Sequence, residues 1–226
     1  MAVPDIVELG GGQPVSGPLF AQSPFDQAVT ALKRDLLAEG GPAISPMRNY
    51  RFAILTYRPD EEFTLRKEVR RLGEELTQQG WNVLSLSLQA LLIGRLRAQG
   101  EDVLKIWIER ERRTHAKDPG RALNWLVEQV SRLIEGEDGL AADVVDRIAR
   151  FADDPAVTPD RTIVFIGRAG SLYPFFRSSS LLKHIDGKTR NLPVVLLYPG
   201  ERKDGNSLSF MSRLPADRDY RPRIYS

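Results

Sequence analysis

Thr162-Ile-Val-Phe-Ile166, the loop Gly167-Arg-Ala-Gly-Ser171 and the returning run Pro193-Val-Val-Leu-Leu-Tyr198 decide the fold. Both apolar runs lack alternation, the pattern of strands buried on two faces. Between them residues 174–185 carry a helical pattern, with Pro174 in its first turn, Ser171 as its N-cap and Gly187 as its C-cap. Two strands joined through a helix predict a parallel pair. The intervening loop then lies at a strand's carboxyl end, where open parallel sheets dock ligands and partners. Residues 167–177 are therefore the first place to look for a site.

Working outward, Phe52-Ala-Ile-Leu-Thr-Tyr57 predicts another such strand. Asp60 is placed to cap a helix that buries Leu65, Val69, Leu72 and Leu76 and stops at Gly80. Trp81-Asn-Val-Leu-Ser-Leu-Ser-Leu88 supplies the next strand and completes a βαβ unit over residues 52–88. Upstream, Phe25, Ala28, Val29, Leu32 and Leu36 share a helical face, which Gly40-Gly-Pro42 ends. Between the two βαβ units the periodicity is helical, with Val103 and Trp107, Leu126 and Val130, then Val144 and Ile148 marking three faces. A helical insertion is expected over residues 100–154. Ser207-Leu-Ser-Phe-Met-Ser212 predicts a strand at the sheet edge, and Tyr220 and Tyr225 predict a packed tail. Residues 1–24, with Gly10-Gly-Gly12 and four prolines, are too poor in apolar groups for a core and read as a flexible Gly/Pro-rich leader. The expected architecture is a three-layer α/β fold: a mostly parallel, Rossmann-like open sheet of four or five strands with helices on both faces. Residues 25–226 form it as one domain.

The 226 residues, 42% hydrophobic and 27% charged, are enough to bury one sizeable core. With no cysteine, disulfides, thiolate catalysis and cysteine-ligated zinc are excluded. The two histidines, His115 and His184, have no ligand-spaced second histidine and read as helix-surface residues. A net charge of +2, from 32 basic and 30 acidic side chains, does not point to nucleic acid or membrane. No run approaches the ~18 apolar residues of a membrane span, and the first residues lack the basic flank and apolar core of a signal peptide. A cytoplasmic protein without membrane contact is expected.

The loop at 167–171 holds the parts of an anion site: glycines, Arg168, and Ser171 before a helix. Its spacing fits neither the phosphate loop nor the dinucleotide fingerprint, and a capped strand-to-helix turn accounts for the same residues. Asp186-Gly-Lys-Thr189 mimics the end of a phosphate loop but follows a helix, so Gly187 reads as a cap. Ser171 lacks the glycine two residues on that a nucleophile elbow needs, and the carboxylates at 60–62 and 153–154 read as helix caps. Arg110, Arg112, Arg113, Lys117 and Arg121 form a local basic segment able to touch DNA weakly. No catalytic set, cofactor or metal site is expected. The candidate anion or partner contacts are Arg168, Gly170, Ser171, Tyr173 and Arg177.

Several segments together resemble one family. They are residues 52–57 with Pro59, Glu62 and Leu65-Arg66, Gly170-Ser-Leu-Tyr-Pro-Phe175, and Pro193-Val-Val-Leu-Leu-Tyr-Pro-Gly200. Ser207-Leu-Ser-Phe-Met211 and Asp219-Tyr220-Arg221 complete the pattern, which is similar to the BrxB proteins of bacterial BREX phage-defence systems over residues 25–226. The family brings no established catalytic residues. The resemblance implies a small non-catalytic core or adaptor component of a defence complex that blocks phage replication and supports host DNA methylation. It also implies other BREX proteins as partners, above all a PglZ-type phosphatase-like protein. The alternative is a nucleotide- or nucleic-acid-binding α/β protein using residues 167–177.

Overall fold

The computed structural model describes residues 23–45, 51–176, 178–203, 207–213 and 222–226. Helix α1 (Pro24–Leu36) starts in a capping box, in which Ser23 Oγ accepts from Asp26 N and the Asp26 carboxylate accepts from Ser23 N. Strand β1 (Phe52–Tyr57) leads through a 3-10 turn into α2 (Glu62–Gln78). Strand β2 (Asn82–Ser87) is followed by α3 (Leu88–Arg97), α4 (Glu101–His115), α5 (Pro119–Ile134) and α6 (Leu140–Ala152). Then come β3 (Thr162–Gly167), α7 (Ser178–Ile185), β4 (Val194–Arg202), β5 (Leu208–Phe210) and β6 (Arg223–Tyr225).

Among the described residues the sheet has six strands, more than the four or five expected. Its path is β2-β3-β4-β1-β6, all parallel, with β5 antiparallel on the far end of β4. The segment expected at the sheet edge instead pairs with Gly200–Arg202 as a hairpin arm. The edge opposite β2 is β6, whose Tyr225 donates to Asp35 at 3.0 Å while Arg223 pairs with the same carboxylate at 2.6 Å. Tyr225 is thus packed as predicted; Tyr220 and residues 1–22 of the expected leader lie outside the described residues.

Strand alternation builds two cores. Phe52, Ile54, Val164, Ile166, Val194 and Leu196 face α3 and α5 to α7. Ala53, Leu55, Ile163, Phe165, Val195 and Leu197 face α1 and α2. The chain moves from β1 outward to β2 and then returns through β3 to β4. Right-handed crossovers in opposite directions require helices on opposite faces, and that is where α2 and the later helices lie. Arg95 clamps the second helical layer, pairing with Asp143 at 2.5 Å and donating to the carbonyls of Leu133, Asp138 and Gly139.

Three local expectations change. The helical block begins at Leu88 rather than near residue 100, because Ser87 Oγ caps α3 directly at the strand end. Asp60 does not cap α2; residues 59–61 form the 3-10 turn, and its carboxylate pairs with Arg58 at 2.7 Å. The helix expected from residue 174 starts at Ser178. Tyr173, preceding Pro174, is held extended at ψ 136°, as the proline ring disfavours helix in the residue before it.

Candidate functional site

The carboxyl ends of β1 and β3 meet at a network that ties the sheet to two helices. Arg168 takes a left-handed backbone (φ 64°) just after β3. Its guanidinium donates to Glu62 Oε1 at 3.1 Å and to Gln89 Oε1 at 2.7 and 3.1 Å. Glu62, in the first turn of α2, accepts from the Tyr57 hydroxyl through its other oxygen. Tyr57 is 2% exposed. Burial first, and then the hydrogen bond and charge of Glu62, push its phenol far above the ordinary tyrosine range, with Arg168 opposing.

The other residues singled out in this loop are held by packing. A Cβ on Gly170 would sit 3.2 Å from Met211 Sδ and 3.3 Å from Pro199 Cγ, so the glycine lets the β4–β5 hairpin close. Ser171 is not a helix cap: its Oγ donates to the Arg168 carbonyl at 2.7 Å. The Tyr173 ring lies 6.5 Å from Phe210. Leu172 and Phe176 are buried, and Ser131 Oγ of α5 donates to the Phe175 carbonyl at 2.9 Å. Arg168, Gly170, Ser171 and Tyr173 are therefore neighbours joined by internal bonds, and Arg177 lies outside the described residues.

Beside this network opens a groove of about 800 Å³ between α2 and β2. Its floor is Val83, Phe165 and Leu197, with Leu65 and Val69 on the helix wall. Arg66, Arg70 and Glu74 line its outer side at one-turn spacing. Ser85, in mid-strand on the same face, is exposed. Helix α2 comes close to β2 at Gly73, where a Cβ would make an ordinary contact 3.6 Å from Val83 Cγ1.

The sequence held two signals for this groove that the loop-centred reading missed. The serines at 85 and 87 interrupt an otherwise apolar strand on one face only, and Arg66, Arg70 and Glu74 recur every fourth residue beside the buried stripe of α2. Among the described residues no group of three His, Cys, Asp or Glu side chains is placed to hold a metal ion, and no helix is long and apolar enough to cross a membrane.

Fold and site together define a Rossmann-like α/β protein whose carboxyl-end network is internally bonded and whose adjacent groove is lined by Arg66, Arg70 and Glu74 of α2 and by polar residues of β2. The family model described as BREX protein BrxB matches residues 84–224. The chain belongs to the BrxB family, whose name marks it as a component of BREX phage defence. No curated protein and no solved structure matches the chain.

Proposed function

We propose that this protein is a non-catalytic adaptor of a BREX complex, holding a PglZ-type phosphatase-like protein and other BREX subunits together in the cytoplasm. Family membership sets the system. The observation that carries the adaptor role is the contrast at the carboxyl end of the sheet. The polar side chains there that would serve chemistry are bonded to one another, whereas several large apolar side chains elsewhere on the surface are exposed. Ile106, Ile108 and Leu123 of the α4–α5 pair are exposed, and Phe63 of α2 is 74% exposed. Co-expression with the PglZ-type protein and the other BREX proteins, followed by affinity purification at moderate salt, tests this. Stoichiometric co-purification is the expected outcome, and a chain that elutes alone overturns it.

The second reading is anion binding at residues 167–177, and its support is that Arg168 borders the open groove. Titration of nucleotides and DNA at low salt against the wild type and Arg168→Ala tests it. Affinity lost with the arginine supports that reading, and no binding removes it along with the weak DNA contact expected at residues 110–121.

A further inference from the structure

Helix α4 carries the least support of any helix in the fold. It buries none of its residues, whereas every other described α-helix feeds one of the two cores. Its contacts run mainly to α5, with a lesser one to α3. Trp107 meets Trp125 of α5 edge to face at 6.2 Å, and the Arg110 guanidinium lies 4.6 Å over the same ring. These contacts fix which side of α4 faces α5. Half of the large exposed apolar side chains among the described residues, namely Val103, Ile106 and Ile108, fall within its fifteen residues. The most exposed of the three is Ile106, at 63%.

Charge is arranged around that isoleucine in a particular way. Successive residues turn by about 100°, so Ile106 stands roughly a quarter-turn from Trp107, on a flank it shares with Asp102, Val103 and Arg110. Asp102 lies four residues before it and Arg110 four after. The Asp102 side chain is almost fully exposed, with Lys105 at 3.9 Å. Arg110 rests on the Trp125 ring and pairs with no carboxylate among the described residues. The helix macrodipole favours acids at the start and bases at the end, but it gives no reason for an isoleucine to stand bare between them on the same flank.

We propose that this flank of α4 pairs with the same flank of a second copy of the chain, the two helices antiparallel and the two Ile106 side chains meeting on the twofold axis. The arrangement is isologous, so each contact occurs twice. Reversal about Ile106 brings Asp102 level with Arg110 of the second copy, and Arg110 level with its Asp102. Val103 covers Ile106 of the second copy from one turn away. A parallel copy would set Asp102 against Asp102 and Arg110 against Arg110, so the order of charges selects the antiparallel one. A contact confined to one helix pair belongs to the small, transient class of interface, with association expected in about the 10–100 µM range. The pairing goes beyond the adaptor reading and leaves Phe63, Ile108 and Leu123 exposed for other subunits.

Sedimentation equilibrium of the full chain from about 1 to about 300 µM tests it. The mass should rise from the 25.4 kDa of one chain toward twice that value. Ile106→Glu should stay monomeric, Asp102→Arg and Arg110→Asp should each weaken association at least about tenfold, and D102R/R110D should recover it. Circular dichroism confirms that each variant is folded. Because the chain has no cysteine, Ile106→Cys carries a single thiol. Mild oxidation should link it into a disulfide dimer, whereas Ile108→Cys, on the far flank, should stay unlinked. A wild type that remains monomeric throughout overturns the proposal, as does association that survives Ile106→Glu. A double variant no tighter than the weaker single variant, or a link that forms as readily at 108 as at 106, overturns the antiparallel register. A monomer in which the Ile106→Cys thiol is shielded from maleimide overturns it in favour of a segment of the same chain. BREX co-purification lost in Ile106→Glu while the wild type is monomeric overturns it in favour of another subunit. Co-purification retained by a monomeric Ile106→Glu supports it and keeps the adaptor reading separate.

Discussion

Arg168 and Arg66 border the same groove, yet their surroundings are opposite. Arg168 sits in a glycine-containing loop at a strand end, the setting that most invites a ligand, and its guanidinium is held by Glu62 and Gln89. Arg66 sits in the second turn of an ordinary helix and has no partner among the described residues. The difference teaches that position in the fold nominates a site, while bonding state decides what its groups are free to do. In this chain the carboxyl end of the sheet is fastened, and the open chemistry lies one helix face away.

The contrast can be broken in several ways. The largest effect is expected from Leu172→Ala, which empties a fully buried site in the crossover segment and should lower stability by about 2–5 kcal/mol in a denaturant titration. A cost near zero would mean the loop is not fastened at all. Arg168→Ala should come next, at about 1–3 kcal/mol, because it leaves Glu62 half-buried without its cation. If Arg168→Ala leaves stability intact but removes binding of a nucleotide, the two arginines exchange roles.

A smaller effect concerns pH. The Tyr57 and Tyr225 phenols are raised in the folded state, so the unfolded chain loses these protons first. Their contribution is complete below about pH 10, the ordinary tyrosine value, and is lost as pH rises above it. Melting temperature should therefore fall above that pH, and less steeply in Tyr57→Phe. The smallest effect is expected from Arg66→Ala and Arg70→Ala, whose melting temperatures should match the wild type. A clear drop in either would show a structural role that the groove does not require.

Much of the fold was legible because burial leaves a plain mark. The runs at 52–57, 162–166 and 193–198 contain no alternation because each strand is covered on both faces; the first two appear in the sheet within a residue, and the third continues four residues further, to Arg202. What was hidden depended on distant partners. Residues 223–225 form a strand only because β1 offers an edge and Asp35 a carboxylate. The start of α7 was misjudged because Pro174, tolerable in a first turn, instead constrains Tyr173, while Leu172 and Phe176 anchor the segment in the core. The loop residues 168, 170, 171 and 173 are neighbours in sequence, but the contacts of Arg168 with Glu62 and Gln89 and of Gly170 with Met211 span sequence separations that no local pattern reports. The groove was readable in principle from Ser85 and the four-residue stripe of α2, because a solvent-facing serine in a buried-looking strand marks a face without a cover.

Strand order carries a consequence for how the chain assembles. The strands made first, β1 and β2, are separated in the sheet by β3 and β4, so neither touches its neighbour-to-be until much later residues exist. Strand β4 inserts between β3 and β1, pairing with β1 over residues 194–199 and with β3 over residues 194–196. It therefore acts as a keystone: a nascent chain that has emerged only through α6 holds two orphan strands and a set of helices with no sheet to lean on. Non-local closure of this kind slows folding and leaves apolar edges open meanwhile. Changes in residues 194–198 should accordingly slow refolding out of proportion to their effect on the finished structure.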